Sequence, residues 1–262
     1  MIQNPKNDWW SEEYGFFGNF YMEGDNSKEG YLIEKKQELT ERTQSEVNGV
    51  VSLLDLKIGS KVLDCPCGYG RHSVELAKQG FIVTGSDINL IHLQKAGNEK
   101  NENVTFVKEN MIDIRYENEF DAVINMFYSF GFFETDEKNE KVLKNFFEAL
   151  KSGGKFLMHT DVNIPRILAK KYKATEERIL ASGKRLVIHD FYDAVTKRVT
   201  GSWNIKDGNI DVSKDYSVRV YTRDEFEDMC RSAGFSSVTA YSDWDGNPYS
   251  EESEDMIIVA TK

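Results

Sequence analysis

The sequence predicts an α/β protein: a seven-stranded sheet with helices on both faces, plus an antiparallel β insert after the fifth strand. Three observations predict it. Short apolar runs alternate with amphipathic stretches from about Lys61 to Lys155. Beyond Lys171 the runs are strand-like with no helix between them. A capped helix and two further strand-like runs then close the chain. Strands separated by helices of this length imply βαβ units, a parallel sheet and right-handed crossovers.

The elements follow in order. KVLDC reads as a first strand and RHSVELAKQG as a helix closed by Gly80. FIVTGSD is a second strand, LIHLQKAGNEK a second helix and VTFVKEN a third strand. FDAVINMF is a fourth strand, EKVLKNFFEALKSGG a helix with a glycine stop, and KFLMHTD a fifth strand. The insert contributes KRLVIHDFYD, KRVTGSWNIK and NIDVSKDYSVRVY, the last two around an Asp207-Gly208 hairpin turn. TRDEFEDMCRSAGF opens with Thr222 and has Glu225 three residues later, the spacing of a capping box, and stops at Gly234. SVTAYSDW and DMIIVATK are the two closing strands, the last an edge or antiparallel one. Three regions result: an N-terminal segment 1–35, a core of 36–171 and 221–262, and an insert 172–220. Within the first, DWWSEEYGFFGNFYMEGD is dense in aromatic rings broken by glycines. Those rings predict packing on the core and a lid over a ligand crevice, two compatible roles.

Bulk properties narrow the function. The 33 basic and 44 acidic residues leave a formal net charge of −11, which disfavours a nucleic-acid partner because phosphate neutralisation drives such binding. The opening MIQNPKNDWWSEEY lacks the basic-then-apolar run of a signal peptide, and no apolar run approaches the roughly 20 residues of a membrane span. Three cysteines make no disulfide framework, so a reduced, cytoplasmic protein is expected.

The densest chemistry lies in VLDCPCGYGRHS, which starts at Val62. Cys65 and Cys67 have neither the partner pair of a zinc site nor the spacing of a redox motif, so buried small hydrophobes and no metal are expected. No Walker loop is present, and Ser73 stands where a dinucleotide fingerprint needs its third glycine. The acids say more. Asp64 closes the first strand where dinucleotide folds need a glycine turn. Asp87 ends the second strand, placed to accept both hydroxyls of a ribose. Gly68 and Gly70 let backbone approach a ligand closely. The turn thus suits a nucleoside, with Asp64 facing a positive or hydrogen-donating group.

Together these residues resemble the first signature of class I S-adenosylmethionine-dependent methyltransferases, an acid followed by alternating glycines. Asp64, Gly68 and Gly70 match, and Pro66 stands at the family's first glycine. ERTQSEV, FVKENM, FDAVINMFYSFGFFE, VRVYTRDEFEDMCRSAGF and the closing SDWDGNPYSEESEDMIIVATK extend the likeness in order. The branch it resembles is the small-molecule one with an antiparallel insert, including sugar N-methyltransferases and enzymes of secondary metabolism. The resemblance implies a Rossmann-like sheet and S-adenosylmethionine as methyl donor, with S-adenosylhomocysteine as product. It also implies roles. Asp87 would hold the ribose, with Ile88 and Met111 on either side of the adenine. Asn110 stands where relatives often have an acid facing the adenine amino group, and its carbonyl can accept the same bond. Asp64 and the Asn125 backbone would lie near the ammonium, and Tyr21 and Arg42 at the carboxylate. Phe127 would lie where the methyl emerges.

The methyl acceptor, a small molecule, would lie between the aromatic lid, the Tyr128–Phe133 loop and the insert, which would cover it. Arg219 and Tyr221 are two apart on one strand and share a face. They read either as surface and half-buried residues or as groups that bind and orient the acceptor. His159, at the end of the fifth strand before Asp161, reads as a general base or as a merely hydrogen-bonded histidine. His72 would fix the glycine turn, and His189-Asp190 is a further base candidate. Transfer would be to a nitrogen or an oxygen, and the absence of an obvious base favours nitrogen. The competing readings are a non-catalytic adenosyl-ligand-binding protein, an NAD(P)-dependent oxidoreductase and a methyltransferase acting on a protein. The insert's strands could also build a homodimer.

Overall fold

The computed structural model describes residues 8–26, 38–98 and 101–262. The N-terminal region 1–35 is therefore described only over 8–26; its remaining positions lie outside the described residues. Elements run α1 (Asn19–Gly24), α2 (Leu39–Leu54), β1 (Lys61–Asp64), α3 (Arg71–Lys78), β2 (Ile82–Asp87), α4 (Leu90–Ala96), β3 (Val104–Lys108), β4 (Phe120–Asn125), α5 (Asp136–Ala149) and β5 (Leu150–Thr160). Then come α6 (Ile164–Leu168), β6 (Thr175–Ile179), β7 (Arg185–Asp193), β8 (Arg198–Asp207), β9 (Ile210–Arg219), α7 (Arg223–Ala233), β10 (Ser237–Tyr241) and β11 (Met256–Thr261).

Seven strands pair in the order β10-β11-β5-β4-β1-β2-β3. β1 to β5 are parallel, and β11 lies antiparallel between β5 and β10. The order reverses between β1 and β4, where an open α/β sheet forms a crevice at its carboxyl end. Alternation along each strand feeds two cores. Val62, Ala122, Ile124 and Leu157 pack with Val47 and Val50 of α2 and Leu76 of α3. Leu63, Val123, Phe156 and Met158 pack with Phe146 of α5 and Phe226 of α7. At α7 the Thr222 hydroxyl accepts from the Glu225 backbone N–H, and the Glu225 side chain accepts from the Thr222 N–H. Gly234 closes that helix in the left-handed region, φ +113°. Among the described residues no helix is long and apolar enough to cross a membrane.

The second sheet is antiparallel, in the order β6-β7-β8-β9. Its inner face, with Leu186, Ile188, Trp203 and Ile205, receives Phe20, and beside it Trp9 and Phe16 pack on Val218. The aromatic N-terminal segment is thus a third layer on the insert.

Four local expectations change. The helix expected to reach the Gly153-Gly154 pair ends at Ala149, and β5 starts at once with the fully buried Leu150. The glycines form an irregularity inside β5, where pairing shifts between Phe120–Leu150 and Ala122–Lys155 and Gly153 takes φ +76°. The hairpin turn sits one residue later than read, because Asp207 pairs with Ile210 and leaves Gly208 and Asn209 in the loop. β6, with sequence TEERI, had no apolar run to betray it, as an edge strand has little to bury. Finally, α6 lies where no helix was read; the last strand, read as edge or antiparallel, is antiparallel, between β5 and the edge strand β10.

Candidate active site

The turn after β1 carries its geometry in two glycines. Gly68 (φ +54°) and Gly70 (φ +79°) both take left-handed conformations that cost a side chain about 1–2 kcal/mol. Their surroundings differ. A Cβ on Gly68 would meet nothing within 4 Å, whereas one on Gly70 would lie 2.7 Å from the Ala96 Cβ. Gly68 therefore opens the backbone toward the crevice, and Gly70 lets α3 start close against α4. The Gly68 N–H donates to Asp87 Oδ2 at 2.9 Å, and the Asn89 N–H to Asp87 Oδ1 at 2.7 Å. Burial raises the Asp87 carboxyl to about 6, against the lowering pull of those amides.

Beneath the turn, Asp64 is fully buried and accepts from the Ser73 hydroxyl at 2.5 Å. Burial raises it to about 7, and its Oδ1 has no hydrogen-bond partner among the described residues. Asn125, at the end of β4, donates from Nδ2 to the Cys65 carbonyl at 2.9 Å, and its Oδ1 is likewise unpartnered. Two buried acceptors side by side at the switch point suit a cationic donor. Burial pushes the Cys65 and Cys67 thiols well above their ordinary value, so both remain protonated apolar groups.

A cavity of about 940 Å³ opens over the turn. Of the residues expected at a ligand, Tyr21, Gly68, Asp87, Ile88, Asn110, Met111 and Phe127 line it. Asp64, Gly70, Arg42 and Asn125 do not reach its wall and stand behind it. At one end, Arg42 and Arg71 each place a guanidinium carbon 4.6 Å from the Phe127 ring centroid. Both pair with Glu46, Arg42 at 2.5 Å. His72 completes the group with Nε2 2.9 Å from the same carboxylate. Burial alone would raise Glu46, but the His72 hydrogen bond and the two guanidinium charges outweigh it and hold it far below the carboxylate range. Burial and Arg71 lower His72 to about 4, so it is neutral near pH 7. Among the described residues two cations meet one anion at this end of the cavity, and Arg71 lines it.

The three residues read as acceptor-directed lie elsewhere. Tyr221 belongs to the main core; its hydroxyl donates to Asp136 Oδ1 at 2.7 Å and accepts from Asn139 Nδ2 at 3.0 Å. Arg219 is buried, stacks on Tyr221 at 4.2 Å and pairs with Asp136 and Glu225. These bonds tie the insert to α5 and α7, and neither side chain lines the cavity. His159 is buried behind Phe127, edge-on at 4.8 Å, with Nε2 3.7 Å from Asp255. Its ring meets the site at Phe127, and its backbone carbonyl accepts from the Tyr128 N–H at 3.0 Å.

Sequence reasoning missed Arg71, Tyr69, Asp25 and His92, all on the cavity wall. The Tyr69 hydroxyl donates to Asp25 Oδ2 at 2.7 Å, joining the glycine turn to the N-terminal segment. His92 Nε2 accepts from the Gly18 N–H at 2.9 Å, joining that segment to α4. Arg71 and Tyr69 flank Gly70 and were open to inspection. The pairings that recruit Asp25 and His92 span 44 and 74 residues and leave no local signal.

Comparison with known proteins agrees with this geometry. Residues 62–154, from β1 into β5, match the family profile described as a methyltransferase domain. The chain is 24% identical over 254 residues to a glycine/sarcosine N-methyltransferase of Aphanothece halophytica, covering 94% of this chain and 91% of that one. Its fold resembles the CcbJ methyltransferase from Streptomyces caelestis (TM-score 0.73, 18% identity, 83% of this chain and 88% of that one). It also resembles S-adenosylmethionine-bound CalS10, an amino pentose methyltransferase from Micromonospora echinaspora (TM-score 0.65, 17% identity, 87% and 94% covered). The nucleoside-type turn and the switch-point crevice thus lie in a matched methyltransferase domain, on a Rossmann-like fold shared with S-adenosylmethionine-dependent methyltransferases.

Proposed function

We propose that the chain moves a methyl group from S-adenosylmethionine to a nitrogen of a small-molecule acceptor. The observation that carries the donor assignment is Asp87, fixed by two backbone amides at the end of β2 with its carboxylate on the cavity wall. Each Asp87 oxygen uses one lone pair on an amide and keeps another for a ribose hydroxyl. The nitrogen assignment is supported by the relatives, one an N-methyltransferase of glycine and sarcosine and one a methyltransferase of an amino pentose.

The residues present fit the donor at each end. Ile88 and Met111 face the cavity as apolar walls for a flat base, with the Asn110 carbonyl as acceptor for its amino group. The unpartnered Oδ1 atoms of Asp64 and Asn125 do not line the cavity; they stand behind its wall, on the side where the resemblance expects the ammonium. Tyr21 and the Arg42–Arg71 pair suit a carboxylate. When bound, S-adenosylmethionine would supply an electrophilic methyl carbon, attacked in line by an acceptor lone pair while the carbon–sulfur bond breaks and S-adenosylhomocysteine leaves. The chain's own part is positioning and drying. Phe127, clamped between two guanidiniums and backed by His159, sets one wall. Trp10, Phe17, Phe132 and Phe133 roof the cavity and exclude water. No histidine in the cavity is placed as a base: His72 is engaged by Glu46 and His92 by Gly18. An amine that arrives unprotonated needs none.

Thermal unfolding with S-adenosylhomocysteine, S-adenosylmethionine, NAD and NADP tests the donor. At about 100 times its dissociation constant a ligand adds about 2.7 kcal/mol of stability. Stabilisation by the two adenosyl-sulfur compounds alone is the expected result, and stabilisation by a nicotinamide cofactor alone overturns the assignment. Transfer of labelled methyl to amines but not to matched alcohols then tests the acceptor atom.

A further inference from the structure

A second cavity, of about 530 Å³, lies in the insert, and a carboxylate forms part of its wall. Asp190, Gly201 and Tyr216 stand opposite one another on β7, β8 and β9. The missing side chain at Gly201 lets the Tyr216 ring cross β8: a Cβ there would lie 2.3 Å from Asp190 Oδ1 and 2.5 Å from Tyr216 Cζ. The Tyr216 hydroxyl donates to Asp190 Oδ1, and the Tyr172 hydroxyl to Oδ2 at 2.8 Å. Asp190 forms no ion pair among the described residues, although it is largely buried. A third phenol, Tyr128, packs in the same cluster as Tyr172 and Tyr216, and its buried hydroxyl has no hydrogen-bond partner among the described residues.

The cavity beside this carboxylate has Tyr172 and Tyr192 on its walls, Ile167 and Val199 as apolar surface, and the exposed Lys170 at its rim. A largely buried carboxylate without a counter-ion is costly; burial raises the Asp190 carboxyl, and a cation beside it would offset that cost. Two aromatic walls and a charge-assisted acceptor are the usual receptor for an organic ammonium. An anion would meet the Asp190 charge, and a neutral guest would leave it uncompensated. The hydrophobic cluster beside the chamber is also linked to the donor site through three consecutive residues. Phe127 and Ser129 line the donor cavity, while Tyr128 between them turns into the insert's cluster. Phe127 (φ +53°) and Tyr128 (φ +58°) both adopt left-handed backbone, a strain that costs non-glycine residues energy and is found where a site demands it.

We propose that the Asp190–Tyr172–Tyr216–Tyr128 cluster binds a cationic ammonium group of the methyl acceptor, distinct from the nitrogen that is methylated. The distinction follows from chemistry: a carboxylate stabilises the protonated amine, which has no lone pair with which to attack. The acceptor therefore carries at least two basic groups, one held charged in the insert and one uncharged near Phe127. The acceptor's identity as occupant rests on the methyltransferase reading, whereas the cation site itself does not.

Calorimetric titration of the whole chain tests it, with S-adenosylhomocysteine present and absent. The probes are 1,4-diaminobutane, n-butanol and butyrate. The diamine is expected to bind, with the alcohol and the acid at least tenfold weaker. Asp190→Asn should weaken the diamine tenfold or more and leave S-adenosylhomocysteine affinity unchanged. Tyr192→Leu, which keeps the bulk and removes one aromatic wall, should weaken it severalfold and serves if the first variant does not fold. Equal binding of butanol, unchanged diamine affinity in the variants, or no diamine binding at the highest concentration reached overturns the proposal. Diamine binding without any S-adenosylhomocysteine binding would instead overturn the donor assignment and leave the cation site standing.

Discussion

Asp64 and Asp87 end neighbouring parallel strands, and burial raises both, yet they differ in what opposes it. Asp87 receives two backbone amides and settles at about 6, while Asp64 receives one hydroxyl and settles at about 7. The sign for ligand binding follows. An ammonium beside Asp64 and ribose hydroxyls donating to Asp87 favour the ionised forms, so binding expels protons that the empty site holds below those values. Affinity for S-adenosylhomocysteine should therefore rise as pH is taken from about 5.5 to 8, measured by calorimetry. In Asp64→Asn that rise should shrink, and an unaltered pH profile would remove Asp64 from the ammonium. Asp87→Ala should weaken the same ligand by about 3 kcal/mol, the worth of two hydrogen bonds to a charged group, and should also lower the unfolding midpoint of the free protein, because the Gly68 and Asn89 amides lose their acceptor. The acids were legible in the sequence because strand ends and glycine spacing are local features. Arg219 and Tyr221 were not: their shared face was visible, but not the partners Asp136, Asn139 and Glu225 that claim them.

Elements differ in how much of their stability is written locally. α7 was readable end to end because its capping box and its glycine stop lie within the same fourteen-residue stretch. Thr222→Ala should cost about 1 kcal/mol in urea unfolding, the usual worth of an N-cap. β8 is the opposite case. Gly201 looks like a flaw in a strand, and only the register with Asp190 and Tyr216 gives it a purpose. Gly201→Ala should destabilise by about 1–3 kcal/mol, because the added carbon has to displace a phenol and a carboxylate packed from two other strands. A cost below ~0.5 kcal/mol would mean that Tyr216 does not lie across β8. β6 and α6 escaped sequence reading for a related reason: a charged edge strand and a five-residue helix expose too much surface to show a hydrophobic period.

At the scale of the molecule, the N-terminal segment bridges the two sheets. Its rings pack on Val218 and Trp203 of the insert, while Gly18, Glu12 and Asp25 bond to His92, Lys108 and Tyr69 of the core. Burial lowers His92 to about 4, so it stays a neutral acceptor for the Gly18 N–H near pH 7. His92→Ala should speed proteolytic cleavage within residues 8–26 while the core's unfolding transition moves little. Equal cleavage rates would show that the anchor lies elsewhere. The alternation of apolar strands and amphipathic helices, the acids at the strand ends and the glycine turn were determined by sequence alone, since backbone conformation and strand burial are fixed by near neighbours. Tertiary structure decided which side chains share a cavity. Arg71 joined Arg42 around Phe127, Asp25 reached Tyr69, and Asp190 was left facing an aromatic chamber. Each of those meetings depends on strand order and on packing between residues far apart in the chain, which no local pattern encodes.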